Sequence, residues 1–190
     1  EFSLMLTIPS TVAFLVMPLP LVSVLYERGA TGPEDVAAIA LAVAVYGVGL
    51  PSFVLHKLLQ PLYFAREDTR SPFRYALVAM VVNAALAFGL KPVVGWIAPA
   101  IAASAAGWVM VALLAFGTRS MGDVARFDAR FHRRVWRIVA ASVVMGGVLL
   151  AAVTGFDWAF ALPRWRYLAL FALIVLGAVS YFGAGQILGA

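Results

Sequence analysis

Apolar residues run through this chain in long blocks, and polar residues gather in short clusters between them. Six apolar segments can be drawn: Leu4 to Leu25, Val36 to Phe64, Phe73 to Leu90, Ala98 to Gly117, Ile138 to Thr154 and Tyr167 to Leu188. Each is long enough to cross a ~30 Å hydrocarbon core as helix, which takes about 17–25 residues. The blocks lack period-two alternation and far exceed the ~10-residue strands of a membrane barrel, so helix is the economical way to satisfy their backbone polar groups. The pattern predicts an all-α, polytopic membrane helix bundle with six transmembrane helices.

The breakers refine that picture. The first segment contains Pro9, Pro18 and Pro20 and is expected to kink or unwind in its second half. In the connection Tyr26 to Asp35, Thr31 or the Gly32-Pro33 step opens the second helix, and Glu34 and Asp35 favour its positive end. The second segment is the most polar and breakable, with Tyr46, Gly47, Gly49, Pro51, His56, Lys57, Gln60 and Pro61. A charged turn follows, Arg66-Glu-Asp-Thr-Arg70, and Ser71-Pro72 is expected to force the chain out of helix there. Lys91 to Pro99 reads as a tight return into a fourth segment rich in Ala, Gly and Ser, residues that let membrane helices approach closely. The longest polar connection, Thr118 to Arg137, spaces Phe127, Phe131 and Val135 as one face of an amphipathic surface helix. Gly155 to Arg164 is the last loop.

Composition agrees. Of 190 residues 64% are hydrophobic and 12% charged, with mean hydropathy +0.97, too little polar surface to cover a soluble globule. There is no cysteine, so disulfides and thiolate metal sites are excluded within the chain. The net charge of +5 could suggest nucleic acid, but arginine-rich cytoplasmic loops account for it in a membrane chain. Arg66, Arg70, Arg74, Arg119, Arg126, Arg130, Arg133, Arg134 and Arg137 fall in the turns after the second and fourth segments. Arg28, Lys91, Arg164 and Arg166 fall on the other side, so nine against four places the first set, and both chain ends, in the cytoplasm. Tyr26, Trp96, Trp158 and Trp165 then make an outer aromatic belt, with Tyr63 and Trp136 at the inner interface. Neither an initiator Met nor a signal-peptide pattern precedes Phe2, and an apolar run leads directly to Ala190, so a segment of a longer polytopic protein is expected.

Candidate chemistry is sparse. No Ser/His/Asp set, carboxylate pair, metal cluster or phosphate-cradling glycine loop is legible, which speaks against an intramembrane enzyme. Lys57 stands out because it lies about 14 Å from the charged turn, near mid-depth. A lone lysine there costs about 2.5–3.5 kcal/mol unless water, a partner or a polar ligand meets it. It reads as a contact for an acidic or phosphorylated solute, or as a side chain snorkelling to the interface or paired with a carboxylate. Arg66, Glu67, Asp68 and Arg70 read as a gating or substrate-contacting turn, or as a solvated one. Asn83 reads as a cavity or ion ligand, or as an interhelical hydrogen bond. Pro18, Pro20, Pro51 and Pro61 read as hinges for alternating access, or as fixed kinks that shape the bundle.

The stretch Tyr46-Gly-Val-Gly-Leu-Pro-Ser-Phe-Val-Leu-His-Lys-Leu-Leu-Gln-Pro-Leu-Tyr-Phe-Ala-Arg-Glu-Asp-Thr-Arg-Ser-Pro72 resembles the signature of the MurJ (MviN) family. These are lipid II flippases of the multidrug/oligosaccharidyl-lipid/polysaccharide exporter superfamily. The resemblance extends over nearly the whole chain, strongest from Leu4 to Leu90 and weak in the last two segments. It implies that the six segments are similar to helices nine to fourteen of a fourteen-helix flippase in the bacterial cytoplasmic (inner) membrane. It also implies a division in which residues 1–117 complete the second lobe, 118–137 form a basic cytoplasmic loop, and 138–190 add two helices with a groove for the lipid tail. The substrate it implies is lipid II, the undecaprenyl-linked peptidoglycan precursor, moved outward by alternating access. The remaining implied partners are membrane lipids and the upstream helices of the same protein. No cofactor is expected, and sodium and the membrane potential are the two couplings left open. Some members hold sodium with two polar residues one turn apart, of which Asn83 is present and Ala87 stands at the second position. The rivals are an exporter of drugs or another lipid-linked oligosaccharide, against which the Pro61-to-Thr69 run speaks, and a non-transporting scaffold for cell-wall enzymes.

Overall fold

Several helix ends in this chain fall where the backbone loses a donor or turns left-handed. The structure, a computed structural model, describes residues 2–27, 31–119, 129–155, 160 and 165–189. Helix α1, Phe2–Val16, stops at Met17, and α2, Pro18–Tyr26, leaves it bent by 80°. Pro18 and Pro20 have no N–H to offer the carbonyls of Phe14 and Val16, so the helical ladder fails at that point and the predicted kink becomes an elbow. Helix α3, Pro33–Phe64, behaves differently: it stays helical through Pro51 and Pro61.

Helix α4, Arg70–Val94, ends at Gly95, whose φ of 64° no residue with a β-carbon adopts cheaply. One turn of 3₁₀ helix, Gly95–Ile97, leads into α5, Ala98–Thr118. Helix α6, Ala129–Gly155, and α7, Arg166–Leu188, complete the order. Among the described residues four helical stretches are apolar and long enough to cross a membrane, or five if α1 and α2 form one broken span. One of the four, Arg70–Thr118, is a hairpin: Tyr75 near its start lies against Gly117 near its end. Its arms, of 25 and 21 residues, each exceed the ~20 needed for one crossing.

Two expected boundaries move. Ser71-Pro72 does not interrupt helix but lies in the first turn of α4, where a missing N–H costs no hydrogen bond. The fifth segment was expected from Ile138, whereas α6 is already helical at Ala129, since nothing between there and Ile138 breaks a helix. Residues 120–128, with Arg126 and Phe127 of the expected surface helix, lie outside the described residues, as do Arg28, Trp158 and Arg164.

The chain divides into two compact units, one of residues 1–47 with 132–190 and one of residues 48–131, so the division falls inside α3. In the first unit Met17, Ala141, Met145, Leu149, Leu173 and Tyr181 form one core, and Val22, Val36 and Ala40 a second. The Tyr181 hydroxyl donates to the Met5 carbonyl at 2.7 Å, and Arg137 donates to the Gly189 carbonyl at 2.7 Å, so the start of α1 and the start of α6 both meet the C-terminal half of α7. In the second unit Leu59, Tyr63, Met110 and Leu114 pack together. Helices α3 and α5 approach closely because Gly49 faces Ser104, and Gly107 faces Ser52 and the Phe53 ring.

That crossing generates a test. A β-carbon on Gly107 would press on Ser52 Oγ and come within 3.0 Å of Phe53, whereas one on Gly89 meets nothing within 4 Å. In thermal melts of the purified full-length protein, Gly107→Ala should destabilise by about 1–3 kcal/mol. Gly89→Ala should be neutral or stabilising by up to about 1 kcal/mol. Equal tolerance at the two positions would contradict the α3–α5 packing.

Candidate functional site

The charged turn between α3 and α4 is built from its own backbone. The amide of Asp68 donates to the Tyr63 carbonyl at 3.1 Å and that of Glu67 to the Phe64 carbonyl at 3.0 Å. This is a Schellman closure, with Glu67 in the left-handed position at φ 59°. Closures of this kind usually put glycine there, because a side chain in this region costs roughly 1–2 kcal/mol. Asp68 then starts the next helix: its Oδ1 accepts the amides of Arg70 at 3.1 Å and Ser71 at 3.0 Å. The Ser71 hydroxyl and amide, followed by the Arg70 amide and the nearby Arg74 guanidinium, hold the Asp68 carboxyl below the usual carboxylate range, outweighing a partial desolvation. The Asp68 carboxylate, in a turn that reads as gating or as solvated, is engaged in capping α4, and Arg66, Glu67 and Arg70 are exposed around it.

Tyr63 departs from expectation. It was assigned to the inner aromatic belt, yet it is 1% exposed, because its hydroxyl has found the Leu114 carbonyl at 2.6 Å. A buried phenol needs such a partner, and this one lets the ring enter the core. The Tyr75 ring meets it edge-on at 6.1 Å, and Gly117 lies against both hydroxyls. The end of α3, the start of α4 and the end of α5 therefore share one end of their unit, which gathers Arg66, Arg70, Arg74 and Arg119 there and leaves Lys91 at the other. Trp96, Trp165 and Tyr26 are exposed as a belt requires, and so is Trp136.

Above that end a cavity of about 550 Å³ opens between the three helices. Its polar lining is His56 and Gln60 from α3 and Asn83 from α4, set among Phe53, Met80 and Met110. His56 and Gln60 are one helical turn apart and share a face, while Lys57 is rotated about 100° from His56. Lys57 is accordingly exposed, absent from the cavity wall, and without a hydrogen bond or ion pair among the described residues. The structure brings together Asn83 with His56 and Gln60; it does not bring Lys57 to Asn83. Asn83 has no hydrogen-bond partner among the described residues, and His56 Nδ1 is buried without one of good geometry, although the Ser52 carbonyl lies close. The i, i+4 spacing of His56 and Gln60 was a readable signal of a shared face, overshadowed by the charge of Lys57. Of the hinge candidates, Pro18 and Pro20 sit at the observed elbow, and Pro51 and Pro61 lie inside continuous helix.

The turn yields a prediction that separates capping from gating. Because the folded Asp68 carboxyl titrates below its unfolded value, its stabilisation is present above the usual carboxylate pKa and is lost as pH falls through the depressed folded value. The stability gap between the wild type and Asp68→Asn should therefore be widest near neutral pH and close in acid, as followed by melts across pH. In the same assay Glu67→Gly should be neutral or stabilising by about 1 kcal/mol, and Glu67→Val destabilising. A gap that does not change with pH would remove Asp68 from the cap.

Comparison with known proteins places these features. The family model described as lipid II flippase MurJ matches residues 1–176. A probable lipid II flippase MurJ of Rhizobium meliloti (strain 1021) is 40% identical over 181 residues, covering 95% of this chain and 33% of the relative. One from Vibrio cholerae is 34% identical over 188 residues, covering 97% of this chain and 35% of the relative. A solved structure titled lipid II flippase MurJ, inward closed conformation, is similar with a TM-score of 0.78 and 26% identity, over 97% of this chain and 36% of that one. The chain spans about a third of the length of the relatives it matches. Its helices and its signature turn thus have their counterparts in one group of proteins, and the chain belongs to the lipid II flippase MurJ family.

Proposed function

We propose that this chain is the C-terminal portion of a flippase that carries lipid II, the undecaprenyl-linked peptidoglycan precursor, from the inner to the outer leaflet of the bacterial cytoplasmic membrane. The observation that carries the reading is the family match over residues 1–176, on a chain of membrane-length apolar helices. Within it, α1 to α5 correspond to helices nine to twelve and complete a second lobe, working with helices upstream of this segment. Helices α6 and α7 are the additional pair beside which the polyprenyl tail lies. A groove of about 210 Å³ between α1, α6 and α7, walled by Leu6, Met17, Leu149, Leu173 and Phe182, suits a hydrocarbon chain. Transport is not enzymatic: a sodium gradient or the membrane potential drives it, and no cofactor takes part.

In this reading Lys57 meets a phosphate of the substrate. It is an exposed cation inside a membrane helix, and a charge-assisted hydrogen bond to phosphate is worth roughly 1.5–3 kcal/mol, or about 10–150-fold. The Arg66 to Arg70 turn and Asn83 are the second candidates for contact or gating. The reading is tested by reconstituting the full-length protein in vesicles with labelled lipid II and measuring the label that becomes accessible on the opposite leaflet. The wild type should flip, and Lys57→Ala should slow flipping by about tenfold or more while reconstituting in equal amount. Absence of flipping by the wild type contradicts the function. Unchanged flipping by Lys57→Ala assigns Lys57 to snorkelling instead.

A further inference from the structure

Helix α2 is a short lever, separated from α1 by an elbow and tied down at its far end. It has nine residues, about 13 Å of helix, and begins at Pro18 beyond the 80° bend. Pro18 and Pro20 offer no donor to the Phe14 and Val16 carbonyls, and its base is bridged by the Met17 amide to the Ala13 carbonyl at 2.9 Å and the Leu21 amide to the Met17 carbonyl at 3.3 Å. Along its length Val22 and Val24 are buried, the former against Val36 and Ala40 of α3. At its tip Glu27 Oε2 stands 3.9 Å from Arg166 Nη1 at the start of α7, and α2 packs along α7.

Arg166 is arranged as a receiver for that carboxylate. Its side chain is only 20% exposed, its guanidinium lies 5.3 Å from the centre of the Tyr167 ring, and Nη2 donates to the Tyr167 hydroxyl at 3.4 Å. Nε is buried with no partner, so the guanidinium is incompletely satisfied and the Glu27 contact is the one charge that compensates it among the described residues. A half-buried cation held by one marginal ion pair is costly to keep and inexpensive to release into water. Room to move exists at the elbow, where a cavity of about 430 Å³ is walled by Val16, Pro18, Leu19, Pro20, Ser23 and Val153.

We propose that the Glu27–Arg166 pair is a releasable latch: it positions α2 against α7 on the side that the arginine count places outside, and it opens so that α2 can swing about Met17–Pro18 during transport. Glu27 and Arg166 are positioning residues in this account, which rests on the flippase reading. The inference adds to that reading a part that moves and the contact that holds it.

The test uses the full-length protein, made cysteine-free, with Glu27→Cys and Arg166→Cys, in the vesicle assay. A reducible bis-methanethiosulfonate long enough to replace the Glu–Arg span joins the two thiols. Joining them should lower lipid II flipping at least tenfold, and a reductant should restore it; a role in folding alone would not be switched on and off in the assembled protein. Flipping at the unjoined rate while the link is intact overturns the latch. If the double variant loses flipping before any reagent is added, the exchanged pair Glu27→Arg with Arg166→Glu decides. Recovery above either single exchange supports the latch, and no recovery overturns it. A wild type that fails to flip in the same vesicles contradicts the flippase reading itself, a result distinct from either of these.

Discussion

A carbonyl that loses its donor inside a hydrocarbon core finds no water to replace it, and much of this structure follows from that constraint. Pro9 has no N–H to offer the Met5 carbonyl, and the Tyr181 hydroxyl donates to it instead; elsewhere side chains add hydrogen bonds to carbonyls that lie near prolines. Ser52 Oγ donates to the Gly49 carbonyl at 2.7 Å and Trp108 Nε1 to the Val48 carbonyl at 3.1 Å, both within one turn of Pro51. In α1, Thr7, Ser10 and Thr11 donate one turn back to the carbonyls of Ser3, Leu6 and Thr7. Where the donor is a long ring the bond crosses between helices: Trp108 ties α5 to α3, Tyr63 ties α3 to α5, and Tyr181 ties α7 to α1. In the unit of residues 48–131 the small residues that permit close approach lie beside these bonds, Gly107 facing Ser52 and Gly117 facing Tyr63.

The same constraint explains what the sequence revealed about the fold. Apolar length and the absence of period-two alternation were enough for a helical membrane bundle, and Pro18 with Pro20 were enough for the break in the first segment. The turn after α3 was visible as a charge cluster, but its mechanism was not. Pro72 looked like the breaker, although a proline in a first helical turn breaks nothing. The actual stop is Glu67 at φ 59°, a position at which sequence gives no glycine to read. Tyr63 was misplaced for a related reason: an aromatic near a charged turn looks interfacial until its hydroxyl finds a carbonyl on another helix, here that of Leu114, 51 residues away.

The candidate site was legible in part. Charge drew attention to Lys57, and helical periodicity was needed to see that His56 and Gln60, not Lys57, share a face with the cavity that Asn83 lines. The pairing of Glu27 with Arg166 was beyond the sequence because it joins residues from opposite ends of the chain through the packing of α2 on α7. Charges at the membrane surface sort by side, and within each unit the structure agrees with that sorting. Arg66, Arg70, Arg74 and Arg119 share one end of theirs, while Arg166 and Arg137 lie at opposite ends of α7 in the other. What such residues do at their end is a question of geometry: the Asp68 carboxylate, in a turn that reads as gating or as solvated, caps α4.

In the proposed function the protein to which this chain belongs delivers lipid II to the outer leaflet. The most direct measurement is the amount of lipid II exposed at the outer surface of cells in which the full-length protein is the sole flippase and its expression is switched on and off. Loss of exposed lipid II with accumulation inside on switching off is the predicted result. Unchanged exposure in the off state would contradict it.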